Sequence, residues 1–250
     1  MSENMEVYYF SPTGGTKKVV EIFADAMACS TKWYDLGKKT LIPEASTAEF
    51  TIVAAPVFGG RIPSVVSEKI KKLKGDGRKA VTIAVYGNRA YEDALLEMND
   101  ILTENGFKVI ASGAFVAQHS MAPEVGAGRP DQADAKEICE FAKAVLNKKN
   151  TDIVQVPGNH PYKPEMNTPF TPISLPNCKR CSACVKSCPT DAISLTDEGI
   201  TTDKTKCILC MTCACVCPEH ARILPPPAQE KMAQMLGALK NIRNKNELFL

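Results

Sequence analysis

Val7-Tyr8-Tyr9-Phe10-Ser11-Pro12-Thr13-Gly14-Gly15-Thr16 is the stretch on which the fold turns. Val7 to Phe10 follows the charged Glu6 and reads as a short buried strand, and Ser11 to Thr16 has the glycine, proline and hydroxyl content of a turn. Beyond it Val20, Ile22, Phe23, Ala26 and Met27 recur near helical spacing, so the first unit is strand, glycine loop, helix. Such a loop offers an anion site. Its glycines let the backbone curl around a phosphate, its N–H groups and the helix N-terminus point inward, and three hydroxyls add donors. An ordinary capped turn is the competing reading. Neither G-x-x-x-x-G-K-[ST] nor G-x-G-x-x-G can be read here, and Gly75-Asp76-Gly77 precedes a strand and reads as a turn.

The alternation continues outward. Lys32 to Leu36 reads as a second strand, and Phe50 to Val57, bounded by Gly59-Gly60, as a third. Ile62, Val66, Ile70 and Leu73 mark a helical face with Pro63 suited to its first turn. Ala80 to Tyr86 is a fourth strand, Ala94 to Leu102 carries the next apolar stripe, Phe107 to Val116 is a fifth strand, and a helix runs from about Asp131 to Asn147. Apolar strands alternating with amphipathic helices predict an α/β doubly wound parallel sheet of five strands, covered on both faces. The connection between the second and third strands is short for a full crossover helix.

The chain has 250 residues with 30 basic and 28 acidic side chains. A near-neutral charge removes the field that a nucleic-acid or anionic-membrane binder would use. No apolar run approaches the ~20 residues of a membrane span, and Met1 to Glu6 lacks the regions of a signal peptide, which predicts a soluble, cytoplasmic protein. Of 11 cysteines, Cys29 and Cys139 stand alone among apolar helix residues and read as structural thiols, while nine lie between Cys178 and Cys217. In a reducing compartment clustered thiols point to metal rather than disulfides.

Six prolines from Pro157 to Pro176 punctuate a stretch without periodicity, which reads as a linker laid along a surface. Then Cys178, Cys181, Cys184 and Cys188-Pro189 form C-x2-C-x2-C-x3-C-P, and Cys207, Cys210, Cys213 and Cys217-Pro218 form it again 29 residues later. Two such runs are an internal duplication. Three thiolates two residues apart wrap one corner of a cubane, and in this motif the fourth cysteine ligates the other run's cluster. The expected sets are therefore Cys178, Cys181, Cys184 and Cys217 for one 4Fe-4S cluster, and Cys207, Cys210, Cys213 and Cys188 for the second. Zinc, which takes four ligands in two pairs, fits poorly. Cys215 is surplus and is expected to be a buried thiol near a cluster; Asp191 and His220, at equivalent repeat positions, are expected at the surface. After Pro225-Pro226-Pro227, Met232, Met235, Leu236 and Leu239 make one apolar stripe, read as a terminal helix docking on a domain.

From about Asn177 to Leu224 the sequence resembles the bacterial two-cluster ferredoxin family. It departs from that family's acidic character, since Lys179, Arg180, Lys186, Lys204 and Lys206 oppose four carboxylates between Cys178 and Cys217. Over residues 5 to 149 the loop Ser11-Pro12-Thr13-Gly14-Gly15-Thr16 matches the [ST]-x-T-G-x-T loop of the flavodoxin family, which the chain also resembles in strand order and helix spacing. That resemblance implies a strand order of 2-1-3-4-5 and bound FMN, its phosphate at Ser11, Thr13, Gly14, Gly15 and Thr16. The ring system would lie at the topological switch point, outside the ends of the third and fourth strands. Pro56, Val57, Phe58, Gly59 and Gly60 stand at one end, with Tyr86, Gly87, Asn88, Arg89 and Tyr91 at the other. Trp33, the sole tryptophan, falls in the second strand and away from this edge. His119 is open to two readings, a contact to the ring or a hydrogen-bonded structural histidine.

The whole resembles the flavodoxin-ferredoxin fusion proteins of anaerobic bacteria and archaea. The expected organisation is a flavodoxin-like FMN domain at 1–150, a proline-rich linker at 151–176, a small α+β two-cluster ferredoxin domain at 177–224 and a C-terminal helical extension at 225–250. The implied function is electron relay between the two 4Fe-4S clusters and FMN and on to a redox protein partner, such as a ferredoxin, a flavoprotein or a reductase. Two alternatives stand beside it. One is an FMN-dependent oxidoreductase reducing a small molecule, with Arg61, Asn88, Arg89 or His119 as polar contacts; the other is an electron-transfer subunit of a larger complex.

Overall fold

The strand ahead of the glycine loop is β1 (Asn4–Tyr9), an inner strand of a sheet in the computed structural model, which describes residues 4–39, 43, 46–166 and 169–250. It is followed by α1 (Gly15–Met27), β2 (Ser30–Asp35), β3 (Phe50–Pro56), α2 (Ser64–Ile70), β4 (Lys79–Tyr86), α3 (Ala94–Glu104), β5 (Lys108–Val116) and α4 (Gln132–Asn147). The five strands are parallel in the order β2-β1-β3-β4-β5, with Tyr8 paired to Tyr34 on one side and Val53 on the other. This is the expected doubly wound, flavodoxin-like order. Residues 40–42 and 44–45 of the β2–β3 connection lie outside the described residues.

Two apolar cores, one per face, fix the helices. Phe23, Val19 and Val20 of α1 meet Ile138 and Phe141 of α4 on one side. Val66 and Ile70 of α2 meet Leu95, Met98 and Leu102 of α3 on the other. Strands between two such layers are buried on both faces, which is why β3 and β4 read as near-continuous apolar runs. Helix α4 starts at a capping box: the Asp131 side chain accepts from the Asp134 backbone, and the Asp134 side chain accepts from the Asp131 backbone.

The proline-rich stretch runs along α3. The Asp93 carboxylate accepts backbone N–H bonds from Asn159 at 2.9 Å and Lys163 at 2.7 Å, and Asp100 accepts from Tyr162 and meets His160 Nε2 at 2.8 Å. Arg61 donates twice to Glu97 at 2.7 Å and once to the Lys163 carbonyl at 2.7 Å, with its guanidinium 4.6 Å over the Tyr162 ring. Arg61 is thus a strut for the linker.

The small second unit contains β6 (Ile173–Ser174), α5 (Ala183–Lys186), the hairpin β7 (Ile193–Thr196) and β8 (Gly199–Thr202), α6 (Thr212–Cys215) and β9 (Arg222–Ile223), with β6 and β9 antiparallel. The duplication is visible in the backbone. Left-handed φ angles recur in pairs 29 residues apart, at Arg180 and Leu209 (54° and 55°), Ser182 and Met211 (62° and 65°), and Asp191 and His220 (51° and 48°). Each turn bends the chain around its cysteines at a strain of roughly 1–2 kcal/mol per residue. Asp191 and His220 are exposed.

The C-terminal segment differs from a purely helical extension. After α7 (Pro226–Leu236) and a single 3-10 turn, β10 (Glu247–Phe249) joins the main sheet antiparallel to β5, giving it a sixth strand. A three-residue strand has too little periodicity to register in sequence, and its partner, Ser112 to Ala114, lies about half the chain away. Among the described residues no helix is long and apolar enough to cross a membrane.

Candidate functional site

Helix α1 begins at Gly15 behind Gly14, whose φ of 91° suits glycine and whose missing side chain leaves the helix without a side-chain cap. Ser11 Oγ instead accepts the Lys17 N–H at 2.8 Å. The earlier N–H groups of the first turn have no intrahelical partner and stay available to an anion. The β3–α2 loop is shaped by a tight turn in which Phe58 N–H donates to the Arg61 carbonyl at 2.8 Å, with Gly59 and Gly60 at φ 62° and 97°. A Cβ on Gly60 would meet Glu92 Oε2 at 1.8 Å. After β4, a Cβ on Gly87 would meet the His119 ring at 2.3 Å.

These loops floor a cavity of about 520 Å³ lined by Ser11, Thr13, Gly15, Thr16, Pro56, Val57, Phe58, Gly59, Gly60, Tyr86, Gly87 and Arg89, with Gly14 in an adjoining groove. Asn88 and Tyr91 lie outside this lining. Asn88 Nδ2 donates to the carbonyls of Leu239 and Ile242, and Tyr91 OH donates to Glu247 at 2.7 Å while its ring packs on Tyr86. Burial first, then the charge of Glu247, pushes the Tyr86 phenol up to about 12, and its OH donates to the Lys245 carbonyl at 3.1 Å. His119 is in the lining. Its Nδ1 accepts from the Met121 N–H at 3.2 Å, which leaves the ring proton on Nε2. Burial and the neighbouring Arg89 hold it below the usual histidine range.

The roof was not legible in sequence. It comes from the linker (Lys163 to Met166, Phe170), from Leu209 and Leu224 of the second unit, and from Lys231, Met232, Met235 and Leu236 of α7. The apolar stripe on α7 was the available signal: Leu236 docks on Ala122 and Val125 with Met232 and Leu239 packed beside them, and Met232, Met235 and Leu236 also line the cavity. Donors and glycines below, with apolar side chains above, suit a phosphate bearing a flat ring system.

A second cavity adjoins the first. Cys188, Cys207, Cys210 and Cys213 all line it, with Ile193, Thr202, Leu209 and Met211. These four are the crossed set expected from the motif, and Cys188 and Cys213 each add repulsion to ionisation of Cys210, whose thiol burial pushes up to about 11. Iron in place of the proton removes that cost. The backbone repeats a hydrogen bond in both copies, from Ala192 N–H to Cys188 Sγ and from Ala221 N–H to Cys217 Sγ, each 3.2 Å. Of the other set, Cys184 and Cys217 are buried, Cys178 is half-buried and Cys181 is exposed. Cys184 shares an apolar cluster with Cys213, so the two sets adjoin. Arg222 Nε, buried beside them, has no hydrogen-bond partner among the described residues. Four thiols around one cavity and an orphaned cationic donor fit an anionic iron-sulfur cluster. Among the described residues no group of three or more His, Cys, Asp or Glu converges on a single metal ion; in a cubane each thiolate binds a different iron.

Cys215 is exposed rather than buried, because α6 turns it towards the groove beside Thr13 to Gly15. Cys29 and Cys139 are half-buried.

The family model for the 4Fe-4S binding domain, Fer4, matches residues 172–194, which hold the first cysteine run. No curated protein matches the chain. Among solved structures, the chain is similar to the flavodoxin of Streptococcus pneumonia TIGR4 (17% identity, 57% of this chain and 97% of that one, TM-score 0.44). It is also similar to oxidised Flavodoxin 1 from Bacillus cereus (15%, 59% and 100%, TM-score 0.46) and to rubredoxin oxygen:oxidoreductase from the anaerobe Desulfovibrio gigas (15%, 58% and 37%, TM-score 0.37). By its strand order and its Fer4 match, the chain joins a flavodoxin-like sheet to a ferredoxin-type 4Fe-4S module.

Proposed function

We propose that this chain relays electrons between two 4Fe-4S clusters and FMN, and on to a redox protein partner. One observation carries the reading: Leu209 lines both the cavity over the glycine loop and the cavity ringed by Cys188, Cys207, Cys210 and Cys213. Leu209 is the residue that the two linings share. FMN, when bound, exchanges one or two electrons, and each cluster exchanges one. The chain's own residues then have separate tasks. Ser11 to Thr16 hold the phosphate, Phe58 to Gly60 and Tyr86 to Gly87 bound the ring, and the α7 methionines with Phe170 exclude water. Cys178, Cys181, Cys184 and Cys217 hold the cluster nearer solvent, and the exposed Cys181 marks where a partner would approach.

The test is anaerobic purification with iron, acid-labile sulfide and flavin quantified, followed by rapid mixing with a one-electron reductant. Flavin reduction at a rate independent of protein concentration is expected. Reduced clusters that leave the flavin oxidised would overturn the relay, and zinc without sulfide would remove its basis.

The roof supports a second reading. Lys231 adds a positive charge to a cover that also holds Glu165 and the Glu92-paired Lys163, and a small anionic substrate beside the ring would meet it. Saturable turnover of such a molecule without any second protein would favour an oxidoreductase.

A further inference from the structure

The two cysteine runs are copies, yet at three equivalent positions a buried or half-buried donor stands beside the sulfurs, Thr212 against Ala183, Thr190 against Glu219, and Arg222 against Ile193, whereas the cations peculiar to the first run, Lys179, Arg180 and Lys186, are exposed to solvent. Each puts a donor near sulfurs of the same set. Thr212 Oγ1 lies 3.3 Å from Cys210 Sγ, and Thr190 Oγ1 lies 3.7 Å from Cys188 Sγ. Arg222 is only 2% exposed in the repeat position where Ile193 is ordinary apolar core. Its Nη1 donates to Ser174 Oγ at 3.1 Å and its Nη2 to Thr202 Oγ1 at 2.8 Å, and Thr202 lines the cysteine cavity. Its charge acts on Cys213 and Cys207 of this set and, across the seam between the sets, on Cys184 of the other. Among the described residues no carboxylate pairs with it and its Nε has no partner. A buried cation is costly unless an anion compensates it, and the anions at hand are the thiolates of a bound cluster.

Resting on the two-cluster reading above, we propose that Arg222, with Thr212 and Thr190, gives the cluster of Cys188, Cys207, Cys210 and Cys213 a higher reduction potential than its duplicate. An electron then rests beside the flavin cavity. Reduction adds one negative charge to a cluster, and hydrogen bonds to its sulfurs and nearby positive charge stabilise that form. Burial of Cys210 and Cys213 acts in the opposite sense, by disfavouring added charge. A full cation in the same low-dielectric site outweighs it, because the interaction is strongest where water is absent. In the step concerned, one electron leaves the cluster of Cys178, Cys181, Cys184 and Cys217 and arrives on the other, with no bond broken and no proton moved. The first electron comes from a redox protein donor.

The experiment is an EPR-monitored potentiometric titration of the full chain, anaerobically reconstituted, as wild type, Arg222→Ile, Arg222→Lys and Thr212→Ala. The Cys188→Ala chain identifies the signal of the cluster in question. Arg222→Ile, which installs the residue of the duplicate, is expected to shift the electron's distribution at least tenfold away from that cluster, about 59 mV for a one-electron couple. Arg222→Lys keeps most of the wild-type bias, and Thr212→Ala shifts it less but in the same direction. Unmoved midpoints in Arg222→Ile with full iron and sulfide overturn the assignment. Should Arg222→Ile lose iron, unmoved midpoints in both Arg222→Lys and Thr212→Ala do the same. Absence of sulfide from the wild type overturns the cluster reading itself.

Discussion

Asn88 Nδ2 donates to the Ile242 carbonyl at 2.7 Å, tying the loop after β4 to a residue 154 positions later. Asn88 also bonds the Leu239 carbonyl and accepts the Asn244 N–H at 3.2 Å, and it is fully buried. The chain's return beside the cavity is therefore held at its start by this amide and further on by the Tyr86–Lys245 and Tyr91–Glu247 bonds and the β10–β5 pairing. Asn88→Ala strands these buried groups at a cost of about 1–3 kcal/mol. Its expected signature in hydrogen exchange is loss of protection over residues 237–249 with β3 and β4 unchanged. Equal protection in both chains would refute the latch.

Gly87 and His119 are in steric register. Gly87→Ala places a Cβ within 2.3 Å of the imidazole, so the ring must move out of its position in the lining. FMN affinity is expected to fall at least tenfold, about 1.4 kcal/mol. Gly14→Ala meets nothing within 4 Å and pays only for its φ of 91°. Titration of both apoproteins with FMN, alongside the His119 NMR resonances, checks the contrast.

Cys188 belongs to the first run in sequence but lines the cavity of the second. On the proposed two-cluster reading, Cys188→Ala should therefore remove the cluster assigned to Cys207, Cys210 and Cys213, and Cys217→Ala the other. Each variant is expected to retain half the iron with complementary EPR spectra. Identical residual spectra from the two would rule out the crossed pairing.

Asp134 is buried, with an ion pair to Arg129 and a bond from Asn246 Nδ2 at 3.0 Å. Burial pushes its carboxyl up, but the bonds from Arg129, Asp131 and Asn246 outweigh this and hold it below the usual carboxylate range. A depressed folded pKa contributes stability that is fully present above the unfolded value near ~3.9 and is lost as pH falls through the folded one. Urea unfolding from pH 7 down to pH 2 should show that loss in the wild type and a flatter profile in Asp134→Asn. The variant should be about 3–5 kcal/mol less stable at pH 7, since Arg129 is left buried and unpaired. A parallel pH profile in both chains would exclude Asp134 as the source.

Sequence alone determined the strand–loop–helix alternation, the glycine-rich turn of Ser11 to Thr16 and the two copies of the cysteine motif. Each is a local pattern, in which residues a few positions apart share a strand, a helix face or a turn. The motif's crossed pairing led to the expectation that Cys188 would stand with Cys207, Cys210 and Cys213, and the four line one cavity. Only the tertiary structure decided the rest. The α7 methionines roof the cavity, β10 closes the sheet on β5, and Asn88 and Tyr91 turn from the cavity to the C-terminal segment. It likewise brought Leu209 into the lining of both cavities and buried Arg222 where its repeat partner is isoleucine. These contacts join segments far apart in the chain, and no spacing along one segment records which distant surface will cover it.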